Sequence, residues 1–246
     1  MGRKKQDPAR PSSKPSQHDE TFCPNSSEWA DELFRRLKET IPHPKTELRY
    51  TTPFELLVAV VLSARTTDKS VNRVTQKLFK VANTPEGILK LGEEGLKAYL
   101  RPLGFYNQKA KRLIQLCRAL LEQHGGEIPK ERQALESLPG VGRKTANVVL
   151  NTLFGEETIA VDTHVFRVAN RTGLAPGKTR TEVERKLLET VPAPFRRIAH
   201  HLLVFHGRYV CTARNPNCSH CVIFDLCAWP HRNPPGKTSR VGRSGI

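Results

Sequence analysis

The chain has 246 residues, enough for one large core or two modest ones, and its 40 Lys and Arg against 24 Asp and Glu give a net charge of +16. Residues 1–20 and 230–246 carry +2 and +4, which leaves +10 on the body, an excess that suits a polyanion more than a merely solvated surface but does not separate DNA from RNA. The longest apolar run, Leu56 to Leu62, is far too short for a membrane helix, and Met1-Gly-Arg-Lys-Lys has no apolar signal core, so a cytoplasmic protein without membrane attachment is expected.

Residues 1–25 read as a disordered basic arm, with three prolines and three serines among residues 7–20. From there the pattern is helical. Ser27 is placed to cap a helix carrying Trp29, Leu33 and Leu37; Pro53 opens a helix over 54–64; Asp68 caps one over 69–81; and Thr84-Pro85 starts the next. Asn107 caps 108–124, which closes on Gly125-Gly126, and a short helix over 131–138 precedes a turn. A helix over 143–154 ends at Gly155, and residues 158–161 hint at extended chain. Further helices lie near 165–171, 181–190 and 194–206, punctuated by Gly173, Pro176 and Pro192. Residues 230–246 form a flexible basic tail, and the fold class is all-α.

The turn after residue 138 is the most telling stretch: Leu138-Pro-Gly-Val-Gly-Arg-Lys-Thr-Ala-Asn-Val-Val-Leu150. Pro139 fixes one backbone angle, and Gly140 and Gly142 permit positive φ and close approach. Consecutive N–H groups after Pro139 can thereby point outward at an anion near a positive helix terminus. Most Pro-Gly pairs are only turns; helix, hairpin and helix in a basic chain argue for DNA. Leu138, Gly140, Val141, Gly142, Arg143 and Thr145 are therefore candidate DNA contacts.

Four of the six cysteines, Cys211, Cys218, Cys221 and Cys227, fall within seventeen residues at C-x6-C-x2-C-x5-C spacing. Cys117, among Leu113, Ile114 and Leu116, is simply a small apolar residue, and Cys23 stands alone. A large helical core with no secretory signal has little use for disulfides. Four thiolates in one loop favour a soft metal, and spacing alone leaves tetrahedral zinc and an iron–sulfur cluster both open.

Taken in order, Pro42-His-Pro, Pro53-Phe-Glu-Leu-Leu, the hairpin through Asn151, Ile159-Ala-Val-Asp-Thr-His164, His206-Gly-Arg208 and the four cysteines resemble the endonuclease III family over about residues 32–227. That resemblance implies a bifunctional DNA glycosylase and apurinic/apyrimidinic lyase of base excision repair, acting as a monomer on double-stranded DNA with an oxidised pyrimidine or an abasic site. It also implies a [4Fe–4S] cluster on Cys211, Cys218, Cys221 and Cys227, and places Lys144 and Asp162 in one active site. Related adenine glycosylases lack a lysine at the position of Lys144, so its presence implies a lyase and counts against a monofunctional enzyme or a non-catalytic lesion detector.

An ordinary lysine is neutral in only about one molecule in a thousand near neutral pH. Only that neutral amine attacks, so its surroundings must disfavour the charge, with a helix N-terminus and Arg143 helping and phosphates opposing. The plainer reading of Lys144 is a phosphate contact and that of Asp162 a helix N-cap, a role compatible with catalysis. The resemblance puts His164 near the DNA backbone, though a structural histidine is nearly as good a reading.

Two positions depart from the family. In Ser63-Ala-Arg-Thr-Thr-Asp68, Arg65 replaces a glutamine that fills the gap left by the everted nucleotide, and Phe105 replaces a leucine wedge. Arg65, Asp68, Phe105 and His164 join the candidate DNA contacts, as does Arg214, the one basic residue between Cys211 and Cys218. The expected organisation is a helical barrel over 46–155 bearing the hairpin, and a cluster domain from 26–45 plus 156–229, with DNA crossing between them.

Overall fold

The computed structural model describes residues 26–232; the proposed arm, nearly all of the proposed tail and Cys23 lie outside them. Ten α-helices follow in order, with no strand among the described residues: α1 Ser27–Thr40, α2 Pro53–Leu62, α3 Asp68–Leu78, α4 Pro85–Leu100, α5 Tyr106–His124, α6 Arg132–Ser137, α7 Arg143–Phe154, α8 Thr163–Thr172, α9 Arg180–Thr190 and α10 Arg196–Tyr209. The all-α reading holds, and the segment 158–161 is unpaired chain.

Several helix starts differ from the sequence expectation by a residue or two, two of them for a hydrogen-bonding reason. Ser26, not Ser27, caps α1, because its hydroxyl reaches the Trp29 N–H at 3.1 Å. Thr67, not Asp68, caps α3 through the Ser70 N–H, and this places the Asp68 carboxylate in the first turn. Asn107 caps nothing: α5 begins at Tyr106 behind Phe105, which is in the left-handed region and makes no side-chain cap bond. The helix expected over 54–64 stops at Leu62 and that over 69–81 at Leu78. The last long helix is preceded by a 3-10 turn, Ala193–Phe195, and runs on to Tyr209. α4 bends at Gly92, whose φ of 71° a β-carbon would resist.

Two hydrophobic cores result. The first centres on α2, buried around its whole circumference, with Val71, Leu96, Leu113, Leu135 and Val149 packed about it. The second gathers Trp29, Leu33 and Phe34 of α1 with Val165, Val183, Leu187 and Leu202. Ala160 joins the first core, whereas its neighbours Ile159 and Val161 enter the second. The chain after α7 is thus the seam between the cores, and Asp162 follows directly on it. α1 closes on the far end of the chain: Trp29 Nε1 donates to the Leu226 carbonyl at 3.1 Å, and Arg36 pairs with Asp225 at 2.7 Å.

Candidate active site and cysteine pocket

Lys144 and Asp162 line one pocket on that seam. Lys144 is the second residue of α7, directly behind the hairpin, and is partly buried. Asp162 caps α8: one carboxylate oxygen, Oδ1, accepts from the His164 N–H at 2.8 Å and the Val165 N–H at 2.9 Å. Burial acts to raise the Asp162 pKa, but the Val165 N–H and the nearby His200, His164 and Lys144 outweigh it and hold the carboxyl below the ordinary carboxylate range. The N-cap and active-site readings of this residue are compatible in one geometry.

The hairpin is half as permissive as expected. Gly140 has φ of 85°, whereas Gly142 is extended at φ −101°, ψ 177° and serves as the N-cap of α7. Leu138 and Val141 bury their side chains in the first core, so what they can present to a phosphate is backbone. Gly142 and Arg143 are exposed, and Thr145 is partly so, in the first turn of α7.

Arg143 is also engaged within the protein. Its Nε donates at 2.8 Å to Glu184, which is 4% exposed on α9 and accepts at 3.0 Å from the buried Asn147 of α7. This carboxylate ties the lysine-bearing helix to the second core. Glu184→Ala would strand the buried Asn147 amide N–H, while the exposed Arg143 turns to solvent, at a cost of about 2 kcal/mol. Urea unfolding checks this; a loss below about 0.5 kcal/mol would contradict it.

A wider groove of about 860 Å³ adjoins the pocket, sharing Glu47, Asp68 and Arg208 and bringing in Arg65 and His164. Arg208 pairs with Asp68 at 2.9 Å and also with Glu47. His164 Nδ1 lies 3.2 Å from Arg167. Arg65 and Phe105 are the two non-glycine residues with positive φ among those described, at 55° and 59°, and the Arg65 guanidinium lies 5.7 Å from the Phe105 ring centroid. Both are exposed. The buried Lys109 donates to Thr66 Oγ1 and so anchors the Arg65 loop to α5.

Two residues that the sequence left without a role also face the pocket, His200 and His201 of α10. Their rings meet edge to face at 5.1 Å. Burial drives both down, His200 to about 3 and His201 to about 4, with His201 adding to the first shift and Arg208 to the second. Adjacent histidines beside the apolar run Leu202 to Phe205 were the available signal.

The four cysteines line a second, mainly apolar pocket with Val210, Ile223 and Phe224. Among the described residues no three His, Cys, Asp or Glu side chains converge tightly enough to hold a single metal ion. Four sulfurs spaced around a cavity suit a multi-iron cluster better than one tetrahedral zinc. Burial and the other three cysteines push the Cys221 thiol up to about 11, with the Ile223 N–H opposing. Arg171 stacks on Trp229 at 4.0 Å and donates to Cys211 Sγ at 3.4 Å and to the Thr212 carbonyl at 2.7 Å, which fixes the start of the loop. Arg214 is exposed on that loop.

Comparison with known proteins finds relatives along most of the chain. Residues 58–193 match the HhH-GPD superfamily base excision DNA repair proteins, and residues 211–227 match the iron-sulfur binding domain of endonuclease III. Endonuclease III of Escherichia coli (strain K12) is 60% identical over 201 residues, 82% of this chain and 95% of the relative. That of Rickettsia conorii is 53% identical over 197 residues, 80% and 94% of the two chains. A trapped endonuclease III–DNA covalent intermediate superposes with a TM-score of 0.78 at 41% identity, covering 82% of this chain and 96% of that one. A non-covalent endonuclease III–DNA complex gives 0.79 at 41% identity, covering 82% and 95%. No helix among the described residues is long and apolar enough to cross a membrane. The chain belongs to the endonuclease III family of base excision DNA repair proteins.

Proposed function

We propose that this protein removes oxidised pyrimidines from duplex DNA and cuts the resulting abasic strand, with Lys144 as nucleophile and Asp162 as its charged partner. The observation that carries the reading is that Lys144, from α7, and Asp162, the cap of α8, line one pocket between the two cores. DNA lies across that seam, held by the hairpin backbone, with Arg65 and Phe105 entering the duplex where the nucleotide leaves it. In this reading the two cores belong to a barrel lobe and a cluster lobe, and the enzyme acts in the cytoplasm on the nucleoid.

The neutral amine of Lys144 attacks C1′ of the everted nucleotide and loses a proton. The glycosidic pair leaves with the base, which takes up a proton. The carboxylate of Asp162 stabilises the positive charge that develops at C1′. Ring opening protonates O4′ and leaves an iminium; loss of a C2′ proton then expels the 3′ phosphate, and water frees the lysine. Trapping tests this reading: borohydride with an abasic-site duplex freezes an adduct to the intact protein and none to Lys144→Gln.

The protein carries a [4Fe–4S] cluster. Cys211, Cys218, Cys221 and Cys227 would hold it, and when bound it supplies the cross-link that orders the loop around Arg214. Cys221→Ala is expected to lose iron and sulfide and to lower the melting temperature by about 5 °C or more. Iron analysis and calorimetry check this; full iron content in the variant would remove Cys221 from the ligand set.

A further inference from the structure

We propose that His200 is a positioning residue of the site, whose Nε2 accepts an N–H of Lys144 as DNA closes on the pocket and so aims the amine at C1′. The proposal rests on the reading of Lys144 as nucleophile.

The geometry starts on the other ring nitrogen. His200 Nδ1 lies 2.7 Å from the Ala160 carbonyl oxygen. A carbonyl only accepts, so Nδ1 carries the proton and Nε2 is left with a lone pair. The sealed, unpartnered side-chain polar atoms among the described residues are His124 Nε2 and Thr152 Oγ1. His200 Nε2 is not one of them and bonds to nothing among the described residues, so it is reached from the pocket it lines with Lys144 and Asp162. Buried apart from 9% of its surface, the ring stays neutral through the physiological range, against the pull of Asp162 and with His201 and Lys144 both opposing a positive charge.

Neutrality is what this role requires. Oδ1 of Asp162 is occupied by two backbone N–H groups. Its negative charge also favours the ammonium form, which cannot attack. An uncharged acceptor on a packed helix grips one N–H of the amine in either protonation state and leaves the lone pair free. Lys144 has a flexible four-carbon stem and gains most from a fixed anchor. A purely structural His200 would tie α10 to the seam and do nothing more.

Two substitutions separate these roles. Asparagine reproduces the Nδ1 donor to Ala160 but reaches no farther, whereas glutamine also carries an acceptor toward the pocket. His200→Asn is expected to lower the single-turnover borohydride trapping rate about tenfold or more, with the Kd for a duplex holding an uncleavable tetrahydrofuran site within about twofold of the parent. His200→Gln recovers most of the loss. Nitrogen-15 spectra of histidine-labelled protein on the same duplex provide a reading that needs no His200 variant. The Nε2 resonance moves upfield on binding as it accepts an N–H, and this movement is absent in Lys144→Met. Equal trapping by the parent and a folded His200→Asn, or the same Nε2 movement with and without the lysine, overturns the proposal. Adduct formation that survives Lys144→Gln would instead overturn the reading of the nucleophile.

Discussion

Lys144→Gln is expected to abolish the borohydride-trapped adduct and to slow strand cleavage at an abasic site by roughly 10³-fold or more, while the protein still binds the duplex. The side chain is partly exposed in the first turn of α7, so its exchange for a residue of similar length and helix propensity removes little packing. What disappears is the covalent route. Without an amine, no iminium forms to acidify C2′, and elimination loses its electron sink. Binding survives because the hairpin offers backbone N–H groups and Gly140 keeps its turn, neither of which depends on this side chain. Gel shift against trapping on the same oligonucleotide separates the outcomes, and residual cleavage at the parent rate would reassign the nucleophile.

The lysine was legible in the sequence because it sits in a local motif: its place behind Gly142 and at the head of an apolar helix follows from residues within a few positions of it. The cysteine loop was legible for the same reason. The remainder of the pocket depends on how α10 lies against the seam, which no local pattern encodes. His200 and His201 read from the sequence as two polar residues of an amphipathic helix, and only packing against Ala160 gives the first of them a fixed tautomer. Arg143 read as a phosphate ligand because of its neighbours; that a carboxylate forty-one residues away, Glu184, also accepts from its Nε–H is a contact no local pattern announces. Helix starts were misplaced where two candidate caps stood side by side, as at Ser26-Ser27 and Thr67-Asp68. Composition cannot choose between such pairs, whereas the path of the incoming chain does.

Asp162 caps α8 and is proposed to take part in the chemistry, and two substitutions pull these roles apart. Asparagine retains an oxygen where Oδ1 accepts from the His164 and Val165 N–H groups, so α8 stays capped and the fold is expected to lose little at neutral pH. The charge is gone, however, and with it the stabilisation of the cation at C1′; base removal should fall by roughly 10²-fold or more. Alanine removes the cap as well and should cost about 1–2 kcal/mol beyond the asparagine variant. Acid supplies an independent check. The folded-state pKa of Asp162 lies below the ordinary carboxylate value, so the group contributes stability that is fully present above about pH 4 and is lost as pH falls through the lower folded pKa. Asp162→Asn has no such proton to take up, and its stability should fall less steeply than the parent's as pH drops below about 4. Parallel acid limbs for the two proteins would mean that the carboxylate is not held in its charged form by α8 and its neighbours. A parent-like glycosylase rate in the asparagine variant would show that the charge at this cap is not what the departing base requires.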